Sequence, residues 1–512
     1  MATPFVMGLL LSWALEVLLS PRPIAVWRRP KAAICVHAGV WTLGFALELA
    51  LFRRPYLAAA NVLALELVIV LVSVAKFRVL REPFVYPDFE YFSDAIRHPR
   101  LYLPFFGLWR LMAVSAGCIV TLCVAMIIEP SIIAVRVEEI AAFYALIFVL
   151  CCLGGGLASI AGCHLQVDFN ASADLQRLGI IGALWAYAKA EREPVRTLYA
   201  KAPFLSFQAQ ARQESSLPDL LVIQSESFFD VRRTYSQIRP DLLPCYDKLI
   251  SESALHGELF VGAWGANTVR TEFSFLAGMP ASQLGVHAYN PYRRLARDGF
   301  PTIAQYLRDL GYRTICVHPY HRGFYGRDRV LPKLGFDDFI ALERFGNAER
   351  SGAYVSDQAV GTFVASLLRG ESYKPLYVHV ITMENHGPLH LETVSPEDYD
   401  SVLRAPIPVG CDDLVAYARH LRNMDAMLGT LRSSLLEPRA RDAAICLYGD
   451  HVPIMASVYD RLGHVNGTTN YLIWGTRPEW RHNSSYSPMG IADLALTYLE
   501  TIKLGTNVLR DC

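Results

Sequence analysis

Hydrophobic residues come first in long unbroken runs and later in short ones. Four early runs, Ala32–Leu51, Leu57–Ala75, Leu108–Ile128 and Ile140–Ala161, reach the roughly 17–25 residues that an α-helix needs to cross a bilayer. A fifth, Phe5–Ser20, is shorter and carries Glu16. Lacking a basic n-region and a small-residue cleavage site, it reads as an uncleaved span rather than a signal peptide. The pattern predicts about five transmembrane helices within residues 1–165. Residues 81–106 interrupt them, mixing Phe and Tyr with charges and prolines, and are expected to lie at headgroup depth. Glu16, Glu48 and Glu66 fall in or beside apolar runs, where a carboxylate is costly. Snorkelling, or pairing with Arg53, Arg54 or Arg110, is the expectation for them.

Past about residue 165 the pattern changes to mixed charge, turns and short runs. Residues 166–216 read as a linker with amphipathic helical stretches. From 217 to 512, apolar β-branched runs (Leu220–Gln224, Thr314–His318, Leu376–Thr382, Ala443–Tyr448) alternate with helical patterns (Ile303–Leu310, Asp357–Leu368, Asp413–Leu435). That alternation predicts an α/β domain with a central, largely parallel sheet. In such sheets ligands gather at the carboxyl ends of the strands. Polar residues stand at those ends: LLVIQ runs into Ser225-Glu226-Ser227, TICV into His318, VHVIT, one residue on, into Glu384-Asn385-His386, and AICLY into Gly449-Asp450-His451.

Composition sharpens this division. The chain has 512 residues, 53% of them hydrophobic, and the excess sits in the first third. Its 48 basic and 48 acidic residues cancel, which argues against broad electrostatic capture of nucleic acid. Eleven cysteines show no CxxC or zinc-ribbon spacing. Basic residues cluster on one side of a five-span arrangement (Arg22, Arg28, Arg29, Lys31; then Lys76, Arg78, Arg81, Arg97, Arg100), against Arg53, Arg54 and Arg136 on the other. By the positive-inside tally this puts the C-terminal domain in the cytoplasm.

Candidate chemistry centres on the strand ends. Asp450 and His451 offer an oxygen and an imidazole suited to Mn2+, Zn2+ or Mg2+, and Glu226 offers a third hard ligand. The loop Gly262–Asn267 leads into a predicted helix at Val269–Leu276. Thr268 at its start lies where free amides and the helix dipole favour an anion, and metal coordination would activate its hydroxyl. An N-cap is the competing role for Thr268; Thr271 and Ser274 are rival hydroxyls.

Taken together, ESFFD at 226–230, GANTVRTEF at 265–273, HRGFYGRD at 321–328, ENHGP at 384–388 and YGDH at 448–451 resemble, in order, the motifs of lipoteichoic acid synthases and related phosphoglycerol transferases of the sulfatase/alkaline phosphatase superfamily. The resemblance implies a multi-span helical membrane domain (1–165), a linker (166–216) and a sulfatase-like catalytic domain (217–512). It also implies one divalent cation, first expected to be Mn2+, held by Glu226, Thr268, Asp450 and His451. Thr268 would double as nucleophile, with His386 beside it in catalysis. His318, Tyr325, Arg327 and His386 would hold the substrate; Tyr325 stands where the synthases usually have Trp, and Gly326 replaces a polar residue. The implied partners are a phospholipid donor, phosphatidylglycerol, and a glycan or glycerol acceptor. The implied location is the bacterial inner membrane with the catalytic domain outside the cytoplasm, against the charge tally. No C/S-x-P-x-R motif lies near 268, which disfavours a sulfatase proper. A phosphoethanolamine transferase, or a non-catalytic lipid- or glycan-binding membrane protein, is the alternative.

Overall fold

The computed structural model describes residues 1–92, 108–132, 137–207, 217–370, 373–438, 441–481 and 484–504. Two compact units divide the chain, Met1–Glu193 and Pro194–Cys512. The first is helical: α1 (Ala2–Leu15), α2 (Lys31–Phe52), α3 (Pro55–Leu80), α4 (Leu108–Ile128), α5 (Val137–Gly162) and α6 (Ala171–Glu191). Three helical stretches, Lys31–Phe52, Pro55–Leu80 and Glu139–Gly162, are long and apolar enough to cross a membrane, while Ala2–Leu18 is a shorter apolar helix. Most of the segment expected at headgroup depth, residues 93–106, lies outside the described residues.

Helices α2 and α5 meet backbone to backbone. A methyl on Gly39 would lie 2.6 Å from the Gly154 carbonyl oxygen, and one on Gly154 2.8 Å from that of Gly39. Small residues at the crossing allow this, as they do wherever apolar helices must pack without water to drive them together. The pairings expected for the carboxylates are replaced by others. Glu16 bonds Arg29 and accepts the Ile180 N–H at 2.7 Å, and Glu48 accepts from Asn61 at 2.9 Å. Arg54 instead reaches the Glu129 carbonyl at 2.6 Å. Arg29 lies outside the apolar runs, so only tertiary proximity reveals it as the partner.

The stretch expected as a linker divides between the units. Asn170 caps α6, accepting from the Ala173 N–H at 3.1 Å, and Leu175, Leu178 and Ile180 of that helix are buried. An apolar face strong enough to bury makes 171–191 part of the helical unit; residues 208–216 lie outside the described set.

The second unit bears out the α/β expectation. Its strands are β1 (Asp219–Ser225), β2 (Leu255–Phe260), β3 (Arg313–Val317), β4 (Asp338–Ile340), the β5–β6 hairpin (Arg350–Ser351, Tyr354–Val355), β7 (Leu376–Ile381), β8 (Ala443–Gly449), β9 (Thr469–Gly475), β10 (Ser485–Tyr486) and β11 (Met489–Gly490). The main sheet runs β10-β2-β9-β8-β1-β7-β3-β4, with β11 also on β2. Strands β8, β1, β7, β3 and β4 are mutually parallel, and β9 is antiparallel to both neighbours. Every residue of β1, β7 and β8 is buried, because helices cover both faces. Ile303–Asp309 and Ile491–Thr501 pack on one side, Asp357–Arg369 and Asp412–Leu435 on the other. The unbroken apolar runs in sequence reflect this two-sided burial. Among the described residues the cysteines are free thiols.

Candidate active site

Strands β1 and β8 are adjacent and in register, Ser225 opposite Gly449, so Glu226 and Asp450 leave the sheet side by side. A methyl on Gly449 would lie 1.8 Å from the Phe228 carbonyl oxygen; only glycine lets the two strand ends come this close. Ser227, at φ 55°, turns back across the gap. Its N–H donates to Asp450 Oδ1 at 2.8 Å and its hydroxyl to Glu226 Oε1 at 3.0 Å. The His451 N–H adds a second bond to Asp450 Oδ1 at 2.9 Å. His451 Nδ1 donates to the Val452 carbonyl at 3.1 Å, which leaves Nε2 as the ring nitrogen with a free lone pair.

Glu226, Asp450 and His451 each offer a ligand atom within 4.8 Å of the others. His451 Nε2 is 3.5 Å from both Glu226 Oε1 and Asp450 Oδ2. Asp450 Oδ2 and His451 Nε2, both buried, have no hydrogen-bond partner. Burial, and next the Asp450 carboxylate, push the Glu226 carboxyl up to about 8. Two dry carboxylates and a bare imidazole lone pair facing one another cost free energy in a protein alone; a divalent cation between them removes the cost. The donor set, oxygens plus one imidazole, fits Mn2+, Mg2+ or Zn2+ alike.

Thr268 opens helix Thr268–Ala277, with Asn267 (φ 67°) as N-cap, so Thr268 is the first helical residue and not the cap. Two bonds tie this region to the ligand loop. The Gly265 N–H donates to the Val452 carbonyl at 3.1 Å, and Thr271 Oγ1 donates to the Asp450 carbonyl at 2.7 Å. Thr268 lies between these anchors in sequence. The Thr271 hydroxyl is committed, and Ser274 is buried within the helix.

Of the residues expected to hold the substrate, Arg327 and His318 are bonded to one another and to the surrounding protein. Arg327 is 1% exposed. Its Nε and Nη2 donate to Glu272 at 3.3 and 2.6 Å, and Nη1 donates to His318 Nε2 at 3.1 Å. His318 Nδ1 donates in turn to the Ile381 carbonyl at 3.1 Å. Burial, then the neighbouring guanidinium, push His318 down to about 3, so it is neutral and accepts. Glu272 also takes the Tyr292 hydroxyl at 2.5 Å, and despite burial the Arg327 charge holds its carboxyl below the usual range. Most of Arg327's fork is thus spent inside the protein. Tyr325, at φ 54°, sets its ring 5.3 Å from the Arg327 guanidinium carbon. His386 is half-buried, with Nδ1 on the Gly387 carbonyl at 2.8 Å; burial lowers its pKa.

Sequence reasoning passed over Glu272, although it lies inside GANTVRTEF one helical turn beyond Thr268 and on the same face. It also passed over Asp357. Both carboxylate oxygens of Asp357 are buried without a partner, and burial, with Glu384 and Glu226 nearby, drives its pKa well above normal.

Residues 218–503, more than half of the chain, match the family described as Sulfatase. The capsular polysaccharide biosynthesis protein RkpI of Rhizobium meliloti (strain 1021) is 27% identical over 448 residues, 82% of this chain and 78% of that protein. Lipoteichoic acid synthase 1 of Bacillus subtilis (strain 168) is 27% identical over 143 residues, 28% of this chain; the chain spans only 21% of that relative's length. Among solved structures, the Streptococcus pyogenes phosphoglycerol transferase GacH in complex with sn-glycerol-1-phosphate aligns over 60% of this chain and 80% of its own, at 22% identity and a TM-score of 0.47.

Proposed function

Because the chain belongs to the Sulfatase family, of the alkaline phosphatase superfamily, we propose that it is a membrane-anchored phosphotransferase. In this reading it moves a phosphoglycerol group from phosphatidylglycerol to a hydroxyl of an envelope glycan or of glycerol. The observation that carries the reading is the set of Glu226, Asp450 and His451 with its two unpartnered ligand atoms, bonded at the Asp450 carbonyl to Thr271 of the helix that Thr268 opens.

Glu226, Asp450, His451 and Thr268 would hold one divalent cation, which when bound lowers the pKa of the Thr268 hydroxyl and neutralises phosphate charge. The first amides of the helix, lacking intrahelical partners, stabilise the anionic phosphoryl group. Thr268 Oγ forms a bond to phosphorus and the bond to the diacylglycerol oxygen breaks; the threonine proton ends on diacylglycerol. An acceptor hydroxyl then displaces Thr268, and its proton returns to the threonine. His386 carries the proton in both steps: its lowered pKa makes the imidazolium a ready donor to an alkoxide and the neutral ring an acceptor at the next step. His318 and Arg327, fixed by Ile381 and Glu272, border the substrate, the arginine supplying positive charge and the neutral histidine holding it in place. Tyr325 packs on that guanidinium.

The capsular polysaccharide role in the name of one relative supports an envelope glycan as acceptor. The membrane-crossing helices keep the site near a lipid donor, with the catalytic unit on the extracytoplasmic side where such glycans lie. Full-length protein in vesicles with headgroup-labelled phosphatidylglycerol and varied cations tests the reading. Diacylglycerol release and label on the Thr268 peptide are expected, and both should vanish in Thr268→Ala. A folded Thr268→Ala protein with undiminished transfer would refute the nucleophile, and labelled ethanolamine donor in a parallel arm identifies the other headgroup.

A further inference from the structure

Buried polar atoms without a partner gather at one edge of the sheet. Gln224 Nε2 and Ser225 Oγ end β1, Asp450 Oδ2 and His451 Nε2 follow β8, and Asn385 follows β7 with both its Nδ2 and its Oδ1 unpaired. Asn385 is 1% exposed. A buried amide lacking both a donor partner and an acceptor partner is costly, and the observation does not depend on which way the amide is turned.

Its surroundings are rigid. Glu384 on one side accepts from the Asp357 N–H and from Asn423 Nδ2, each at 2.6 Å. His386 on the other bonds the Gly387 carbonyl at 2.8 Å. Three residues earlier, Thr382 Oγ1 accepts the N–H of Glu226 at 3.0 Å, which ties this loop to the cation-ligand set. The flanking side chains are therefore fixed, and the Asn385 amide is the part of this loop that makes no bond within the protein.

The chemistry of an amide selects its ligand. Non-bridging phosphate oxygens only accept, and would leave Oδ1 unpaired. In the proposed reaction the phosphate is committed to the cation and the helix amides, so an ethanolamine headgroup brings only its ammonium, which donates alone and would leave Nδ2 unpaired. Hydroxyls both donate and accept, and a pair of them satisfies both ends of the amide. We propose that Asn385 is a specificity-determining substrate residue that recognises the hydroxyls of a polyol headgroup, and so favours a glycerol-bearing over an ethanolamine-bearing phospholipid. This deepens the proposed function and rests on it.

The test uses full-length protein in vesicles with phosphatidylglycerol or phosphatidylethanolamine as sole donor, with diacylglycerol release as readout and thermal unfolding to check folding. Asn385→Ala should lower kcat/KM on phosphatidylglycerol by about 10- to 100-fold. Asn385→Asp keeps the shape but presents only acceptors, and should shift the ratio of the two donors at least about tenfold toward the ethanolamine lipid. If both variants keep wild-type kcat/KM on phosphatidylglycerol, or if activity on the two lipids falls equally, Asn385 is not a headgroup reader and the proposal is overturned. Wild-type preference for phosphatidylethanolamine overturns it as well, whatever the variants do. Wild-type inertness toward both lipids removes the proposed function itself, and is seen without any variant.

Discussion

Substituting Gly449 by alanine strikes the point where the site is assembled. The added methyl would sit 1.8 Å from the Phe228 carbonyl oxygen, 2.8 Å from its carbonyl carbon and 3.1 Å from Thr469 Cβ. An ordinary carbon–oxygen approach is about 3.3 Å, so one side must retreat by about 1.5 Å. Strand β8 cannot move as a body, since it is paired on both edges with β1 and β9, and Thr469 Oγ1 holds the Gly449 carbonyl at 2.8 Å. The strain falls on the segments just beyond the strands, which carry Glu226 on one side and Asp450 and His451 on the other. Overpacking of this kind costs about 1–3 kcal/mol, or several degrees of Tm in a domain of this size. A metal site tolerates displacements of only about 0.5 Å. Gly449→Ala should therefore lose both stability and most of its affinity for a divalent cation. Thermal unfolding and isothermal titration of metal-free protein measure the two. Gly346→Ala is the control, because a methyl there meets nothing within 4 Å. If Gly449→Ala matches Gly346→Ala in Tm and binds the cation as wild type does, the close approach is not what forms the site.

Two further predictions concern buried charge. Glu272→Gln keeps the shape at Arg327 but leaves a guanidinium that is 1% exposed without its counter-ion; a loss of about 3–5 kcal/mol is expected, and denaturant titration showing less than about 1 kcal/mol would contradict the pairing. Asp219, which accepts the Leu376 N–H at 2.8 Å, is raised to about 6, chiefly by burial. Its folded-state pKa exceeds the unfolded value, so between about pH 4 and 6 the folded chain holds a proton that the unfolded chain has released, and stability falls as pH rises through that window. Asp219→Asn should flatten the fall and raise stability at pH 7 by roughly 1–3 kcal/mol, as melting curves across pH would show; an unchanged pH profile would refute the assignment.

What was legible in the sequence shares one physical property. Leu220–Gln224, Leu376–Thr382 and Ala443–Tyr448 read as strands because two-sided burial demands an unbroken apolar run. The residues that follow them are polar because the chain there leaves the core at the ligand-binding edge. β2 carries no such signature: it is half-buried, and its LHGELF sequence looks like neither a core strand nor a clean alternation. Pairings of charge were hidden for another reason. Arg29 for Glu16, and Glu272 for Arg327, are neighbours only after folding, and nothing in linear spacing marks them. Gly449 is marked in the sequence only as a strand-end residue, and what requires glycine there is the Phe228 carbonyl lying against it.

The arrangement around Arg327 bears on how the site discriminates. A free guanidinium at a strand end would bind any phosphate oxygen that reached it. Here Glu272 takes two of its nitrogens and His318 the third, so the cation is held in one orientation and its net field is partly cancelled. Strong, indiscriminate phosphate binding in the ground state would lower KM without raising kcat. A clamped, partly neutralised arginine gives up some ground-state affinity and costs no reorganisation when charge develops on the phosphoryl oxygens. In the proposed reaction, choice among phosphodiesters would then fall to neutral groups that distinguish headgroups by hydrogen-bond direction. At the end of β7 the one fully buried group still uncommitted in both directions is the amide of Asn385.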